Sequence, residues 1–174
     1  MIKERSSGVL LHPTSLPGPY GIGDLGPEAY RWIDFLHSTG TRYWQFLPLG
    51  PTGYGDSPYQ CFSAFAGNPY LISPDGLIEM GLIDKADLSD ISVFPKEKVD
   101  FGPVIEWKTF LLHKVSQRIL EKGFPKNLNE AFESFLFDHK HWIEEYALFM
   151  AIKQSVGGVS WADWPKDLKF RVPE

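Results

Sequence analysis

Between two short apolar runs near the amino terminus stands one amphipathic segment, and this arrangement restricts the architecture more than any other feature. In "PEAYRWIDFLHSTG" Ala29, Trp32, Ile33 and Leu36 fall at i, i+3, i+4 and i+7, one face of a helix. Pro27 suits the first helical turn, Glu28 favours the positive end of the helix dipole, and Gly40 supplies a stop. The runs on either side, "GVLLHP" (Gly8–Pro13) and "TRYWQFLPLG", read as buried strands, each closed by a proline. A strand, a helix and a second strand in this order imply two parallel strands joined by a right-handed crossover.

From Pro48 to Pro69 the chain is a long loop rich in Gly, Pro, Ser and Tyr, and beyond it the pattern turns helical. "WKTFLLHKVSQRIL" sets Trp107, Leu111, Val115 and Ile119 on one stripe. "AFESFLF" contributes Phe132, Phe135 and Leu136, and "WIEEYALFMAIK" aligns Trp142, Tyr146, Phe149 and Met150. The charge-rich stretch Lys85–Lys98 reads as a surface connector, and no internal repeat or low-complexity tract is present.

"GIGDLG", Gly21 to Gly26, fits the dinucleotide-binding fingerprint letter for letter. Its context does not fit. A phosphate-binding glycine turn follows its strand directly, with an acidic residue ~20 positions on. Here Pro13, Pro17 and Pro19 intervene after the first strand, and the acidic position falls in "YWQFLPLG", which has no carboxylate. The glycines are expected to permit the left-handed turns of a loop leading into the helix. Other patterns fail on similar grounds. His139 and His141, at i and i+2, point to different helix faces and give no metal site. Glu144 and Glu145 read as a solvated helix edge, and no G-x-S-x-G elbow surrounds any serine.

Charge and cysteine content exclude further classes. A net charge of −5 gives no basis for binding nucleic acid or an anionic membrane surface. A single cysteine, Cys61, rules out an internal disulfide and a thiolate zinc site and fits a reducing cytoplasm. The apolar run Val9–Leu11 is too short for a signal peptide, and no stretch approaches membrane-spanning length.

The strongest constellation is "LPLGPTGYGDSPYQ", Leu47 to Gln60, at the carboxyl end of the second strand. In parallel α/β proteins ligands bind beyond the carboxyl ends of the strands. The exit loop of the first strand, residues 12–26, is expected to open on the same side. Tyr54 and Tyr59 offer flat apolar faces with a polar tip, while Asp56 and Ser57 offer hydrogen-bonding oxygens. That mixture suits a sugar, which has an apolar ring face and a hydroxyl rim. The same residues also suit a tight loop stapled by tyrosine packing and Asx or Ser turns.

"GVLLHPTSLPGPYGIGDLG", "RYWQFLPLGPTGYGDSPYQCFSAFAGNPYLI" and "WIEEYALFMAIK" resemble the amylomaltases, the 4-α-glucanotransferases of glycoside hydrolase family 77. The likeness is densest over residues 8–72 and returns in "VDF" (Val99–Phe101) and "WADWP" (Trp161–Pro165). It implies an α/β fold: the start of a (β/α)8 TIM barrel in residues 1–72, with an inserted, mainly helical subdomain in residues 73–174. It implies retaining chemistry, in which a carboxylate forms a glycosyl-enzyme that passes its glucan to another sugar's 4-hydroxyl. The implied substrate is a maltooligosaccharide or another α-1,4-glucan, with no cofactor and no metal.

By the same resemblance Tyr59 stacks on the sugar ring beside the scissile bond, with Ser57 and Asp56 shaping the loop. Tyr54 corresponds to an aromatic that helps hold a glucan at a second, remote site. Phe101 falls where relatives can carry a tyrosine partner, so the stacking face is kept and the hydroxyl lost. The family's catalytic carboxylates lie on later strands, and nothing in this sequence matches their motifs. A barrel needs ~250 residues. The sequence is therefore expected to be an amino-terminal segment, inactive alone. The competing expectation is a stand-alone glucan-binding module without catalysis; a glucan hydrolase differs only in using water as acceptor.

Overall fold

A computed structural model of the chain describes residues 5–89, 91 and 93–172, with Tyr54 described by its backbone alone. The chain divides into two compact units, Met1–Leu128 and Asn129–Glu174.

The first unit opens with the expected strand–helix–strand arrangement. Strand β1 (Gly8–Leu10) pairs in parallel with β2 (Tyr43–Gln45), in the register Gly8↔Tyr43, Val9↔Trp44 and Leu10↔Gln45. Between them runs α1 (Pro27–Ser38), with Pro27 in its first turn and Gly40 in the left-handed region at φ 69° just beyond its end. Only part of the anticipated helix face is covered: Ala29 and Leu36 are buried, whereas Ile33 is 49% exposed.

The expectation of buried strands is corrected. Leu10 and Tyr43 stand about half exposed, and Val9 and Phe46 are open as well. An apolar run on a strand is buried only when layers lie on both sheet faces. The described sheet has two strands.

The main core lies elsewhere. Helix α2 (Pro74–Glu79) begins at Ser73, whose Oγ accepts from the Gly76 N–H at 3.3 Å. Helix α3 (Phe101–Lys122) ends at Gly123, φ 76°. Leu77, Leu82, Ile83, Leu111 and Val115 form a buried cluster, with Trp107 and Ile119 packed against it. The stripe read from the sequence is thus the buried face of α3. The buried face also takes in Lys108, within that span, and Val104 one turn before it. Burial of each such aliphatic side chain contributes about 1.5–3 kcal/mol.

The Lys85–Lys98 segment is more than a surface connector. Lys85–Leu88 form a 3-10 turn, Asp87 is ion-paired to α3, and the Phe94 ring meets Trp107 edge-on at 6.0 Å. An apolar side chain within a charged stretch is still drawn to an aromatic surface.

The second unit contains most of α4 (Lys126–His139), together with α5 (Ile143–Ser155) and α6 (Lys166–Phe170). Trp164 is buried and stacks on Phe149 at 5.3 Å. The Lys153 ammonium donates to the Gly158 and Val159 carbonyls and so closes the end of α5. Phe132, Phe135 and Leu136 stay 37–42% exposed, so that stripe is only partly covered.

Candidate functional site

The parallel pairing sends both strand-exit loops away from one end of the sheet, and hydrogen bonds tie their starts together. The Leu11 N–H donates to the Gln45 carbonyl at 3.0 Å, and the Trp44 indole donates to the Leu11 carbonyl at 2.7 Å. His12 completes the tie. Its Nδ1 lies 2.7 Å from Thr14 Oγ1, and its Nε2 lies 3.5 Å from the Pro48 carbonyl in the second loop. A carbonyl only accepts, so Nε2 is the donor and Nδ1 accepts from Thr14.

The second loop folds back on itself beyond Pro48. Thr52 and Cys61 form an antiparallel bridge, and the Asn68 N–H donates to the Leu49 carbonyl at 2.7 Å. Between the bridge residues sits a 3-10 turn, Tyr54–Asp56, with Gly55 at φ 66° and Asp56 at φ 54°. A Cβ on Gly55 would meet nothing within 4 Å, so the backbone angle is what this position demands. Aspartate tolerates the same region better than most residues. Ser57 Oγ accepts from the Tyr59 N–H at 3.3 Å, and the Gln60 N–H donates to the Ser57 carbonyl. The Tyr59 side chain stands 70% exposed on this turn.

The structure brings Asp56, Ser57 and Tyr59 into one turn. Tyr54 shares its backbone, but the Tyr54 side chain lies outside the described residues. Phe101 belongs to another element: it is the first residue of α3 and is half-buried. Burial raises the Tyr70 phenol above its ordinary value, a hydrogen bond with Thr109 opposes this, and the Asp56 charge adds to the rise.

The "GIGDLG" glycines have two different purposes. Gly21 adopts φ 74°, as a left-handed turn requires. Gly23 and Gly26 do not, which corrects the single explanation offered for all three. A Cβ on Gly23 would sit 2.1 Å from the Pro13 carbonyl oxygen, and one on Gly26 would sit 2.2 Å from Ser73 Oγ. Neighbouring atoms pass too closely there for any side chain.

Sequence reasoning missed a buried polar group beneath the loops. Lys108 is 1% exposed, and its Nζ donates to the Ile72 carbonyl at 2.6 Å with Asp24 Oδ2 at 3.7 Å. The Tyr20 hydroxyl donates to Asp75 Oδ1 at 2.7 Å, and its ring stacks on Trp107. The available signal was a lysine at i+4 from Val104 on an otherwise apolar stripe.

An apolar recess of about 690 Å³ opens between Leu25, Tyr30, Leu49, Leu71, Ile72 and Met80. None of the five nominated residues lines it, and its walls match a sugar's hydroxyl rim poorly. The His139 and His141 rings lie 6.5 Å apart, and among the described residues no group of three potential ligands could hold a metal ion. No described helix is long and apolar enough to cross a membrane.

Comparison with known proteins gives one consistent result. A family model described as 4-alpha-glucanotransferase matches residues 11–174. The 4-alpha-glucanotransferase of Thermus thermophilus is 52% identical over 167 residues, covering 96% of this chain and 32% of that protein. A Synechocystis relative of the same name is 43% identical over 174 residues, covering 100% and 34%. The fold matches that of a solved amylomaltase from Streptococcus agalactiae in complex with acarbose: TM-score 0.86, 40% identity, 98% of this chain and 34% of that one. The chain spans about a third of the length of the curated relatives it matches.

Proposed function

Because the chain belongs to the 4-alpha-glucanotransferase family, we propose that it is the substrate-gripping portion of an enzyme moving α-1,4-glucan segments between maltooligosaccharides. Residues 1–72 begin the barrel and carry the substrate-facing loops, and residues 73–174 form the mainly helical insert. The exposed faces of β1 and β2 support the barrel, because they await the neighbours that further strands supply. The acids that act as nucleophile and proton donor come from outside these 174 residues.

One observation carries the reading. Tyr59 is 70% exposed on a tightly bonded turn, in a loop leaving the carboxyl end of a parallel strand pair. An open tyrosine face on a preorganised turn stacks on a pyranose ring with little ordering cost. Asp56 and Ser57 flank it and can bond ring hydroxyls. Acarbose, bound in the Streptococcus agalactiae amylomaltase, supports a glucan-like ligand here. Tyr54 and Phe101 serve a second, weaker glucan contact, in which Phe101 stacks without a hydroxyl. The single free cysteine supports a cytoplasmic address.

The test grafts this chain in place of the matching third of the Thermus thermophilus enzyme. The folded chimera converts maltotriose to glucose and longer maltodextrins, the isolated chain does not, and Tyr59→Ala in the chimera lowers turnover at least tenfold. Turnover by the isolated chain, or an inert but folded chimera, overturns the reading. Tight maltoheptaose binding by the isolated chain, lost in Tyr54→Ala/Tyr59→Ala, would instead establish a stand-alone binding module.

A further inference from the structure

The two site loops are tied twice, and the second tie is made by a helix outside them. At their starts, His12 and the Leu11–Gln45 bond join them. At their ends, the Leu25 N–H donates to the Leu71 carbonyl at 3.0 Å, and both loops meet Lys108 of α3. The Lys108 ammonium holds the Ile72 carbonyl, the last residue of the second loop before the Ser73 cap. Its counter-ion, Asp24, is itself buried and accepts from the Gly26 N–H at 2.9 Å, at the end of the first loop. The Ile72 N–H donates in turn to the Pro69 carbonyl at 3.2 Å, and the Asn68 N–H donates to the Leu49 carbonyl at 2.7 Å, just ahead of the Thr52–Cys61 bridge at the base of the Tyr59 turn. Hydrogen bonds thus lead from α3 through the end of the second loop to the base of the turn.

Stability does not explain the ion pair. Burial raises the Asp24 carboxyl above its usual value even with Lys108 beside it, and burial lowers the Lys108 ammonium to about 8 even with Asp24 beside it. In each group desolvation outweighs attraction to the partner. Replacing such a pair by neutral side chains of similar volume is often neutral or stabilising. What the pair supplies instead is a fixed place for two loop ends.

We propose that Lys108 is a positioning residue: its buried ammonium, bonded to Ile72 and paired with Asp24, sets where the Tyr59 turn stands at the mouth of the strands. This rests on the reading of that turn as a glucan contact, but the test requires no sugar. A failure of glucan transfer and a failure of positioning are therefore separately visible.

The chain provides its own reporter, since its one cysteine, Cys61, is exposed and bridges Thr52 at the base of the turn. A nitroxide on Cys61 gives a restricted spectrum in the parent chain. In Lys108→Met/Asp24→Asn the methionine fills the lysine stem's space and the asparagine keeps an acceptor for Gly26. That variant melts cooperatively within a few degrees of the parent, while the nitroxide gains a fast component on the nanosecond scale, several-fold shorter in correlation time. Asp87→Asn, which removes an ion pair of α3 that touches neither loop, keeps the restricted spectrum. The proposal is overturned by an unchanged spectrum in the folded double variant, or by loosening of equal size in Asp87→Asn. It is equally overturned if the double variant loses its cooperative melt, because Lys108 would then be a stability element only.

Discussion

Leu10 in β1 and Leu111 in α3 are the same side chain with opposite fates, 58% and 2% exposed. Each lies on an apolar pattern that reads as core. The difference is the source of the covering surface. Leu111 meets Leu77, Leu82 and Ile83, all contributed by the turn-rich segment shortly before α3. Leu10 lies on one of only two strands in the described sheet, and such a ribbon is marginal by itself. The helical core closes on its own chain, whereas the described two-stranded sheet leaves its apolar side chains open.

The largest expected effect tests that contrast directly. Leu111→Ala leaves a cavity in the helical core and lowers stability by about 2–5 kcal/mol. Leu10→Ala, at an open position, changes it by less than about 0.5 kcal/mol. Urea unfolding followed by far-UV circular dichroism measures both. Comparable losses would break the comparison, because the sheet would then be as closed as the helices.

What the sequence made legible follows the same division. The helical stripes, α1 with its Gly40 stop and the parallel pair are local patterns, readable wherever neighbours along the chain determine the outcome. Burial of the strands was not, because it depends on what lies across the sheet. Lys108 was legible only as an anomaly on an apolar stripe. Its partners Asp24 and Ile72 come from two distant loops. Asp56, Ser57 and Tyr59 share one turn because Gly, Ser and Asp chemistry fixes it locally. Phe101 was joined to Tyr54, at a second and remote site, by family likeness alone, and it is the first residue of α3.

The next effect is smaller and sits between the two regions, in the loop joining β1 to α1. There the backbone is packed as tightly as the core. A Cβ on Gly23 would press on the Pro13 carbonyl oxygen at 2.1 Å and the Leu16 nitrogen at 2.7 Å. It would also force apart the Gly23 N–H bond to the Thr14 carbonyl. Gly23→Ala is expected to lose about 1–3 kcal/mol. Gly67→Ala has open space and no positive φ, so it is neutral or gains about 0.4–1 kcal/mol through the unfolded chain. Matching thermal melts of the two variants would show that the loop is no tighter than the open strands beside it.

The smallest effect concerns how the edge of the helical core is pinned, for which the open sheet has no counterpart among the described ion pairs. Asp87 accepts from the Asp84 N–H at 2.8 Å, from Lys114 at 2.7 Å and from Arg118 at 2.9 Å. The backbone N–H of Asp84, then Lys114 and Arg118, hold its carboxyl well below the usual carboxylate range. A depressed folded value means that the native state favours the charged form. The contribution is complete above the unfolded value near ~4 and fades as pH falls toward the folded one. Lys114 and Arg118 are partly exposed, so solvent screening limits the gain. Asp87→Asn is expected to lose about 1 kcal/mol at neutral pH, and the gap to the parent narrows as acid protonates the parent's Asp87. Urea midpoints of both proteins across the acid range measure this. A gap that stayed constant into strong acid would mean that Asp87 acts through shape and not charge, and this edge would then be held by apolar contact alone.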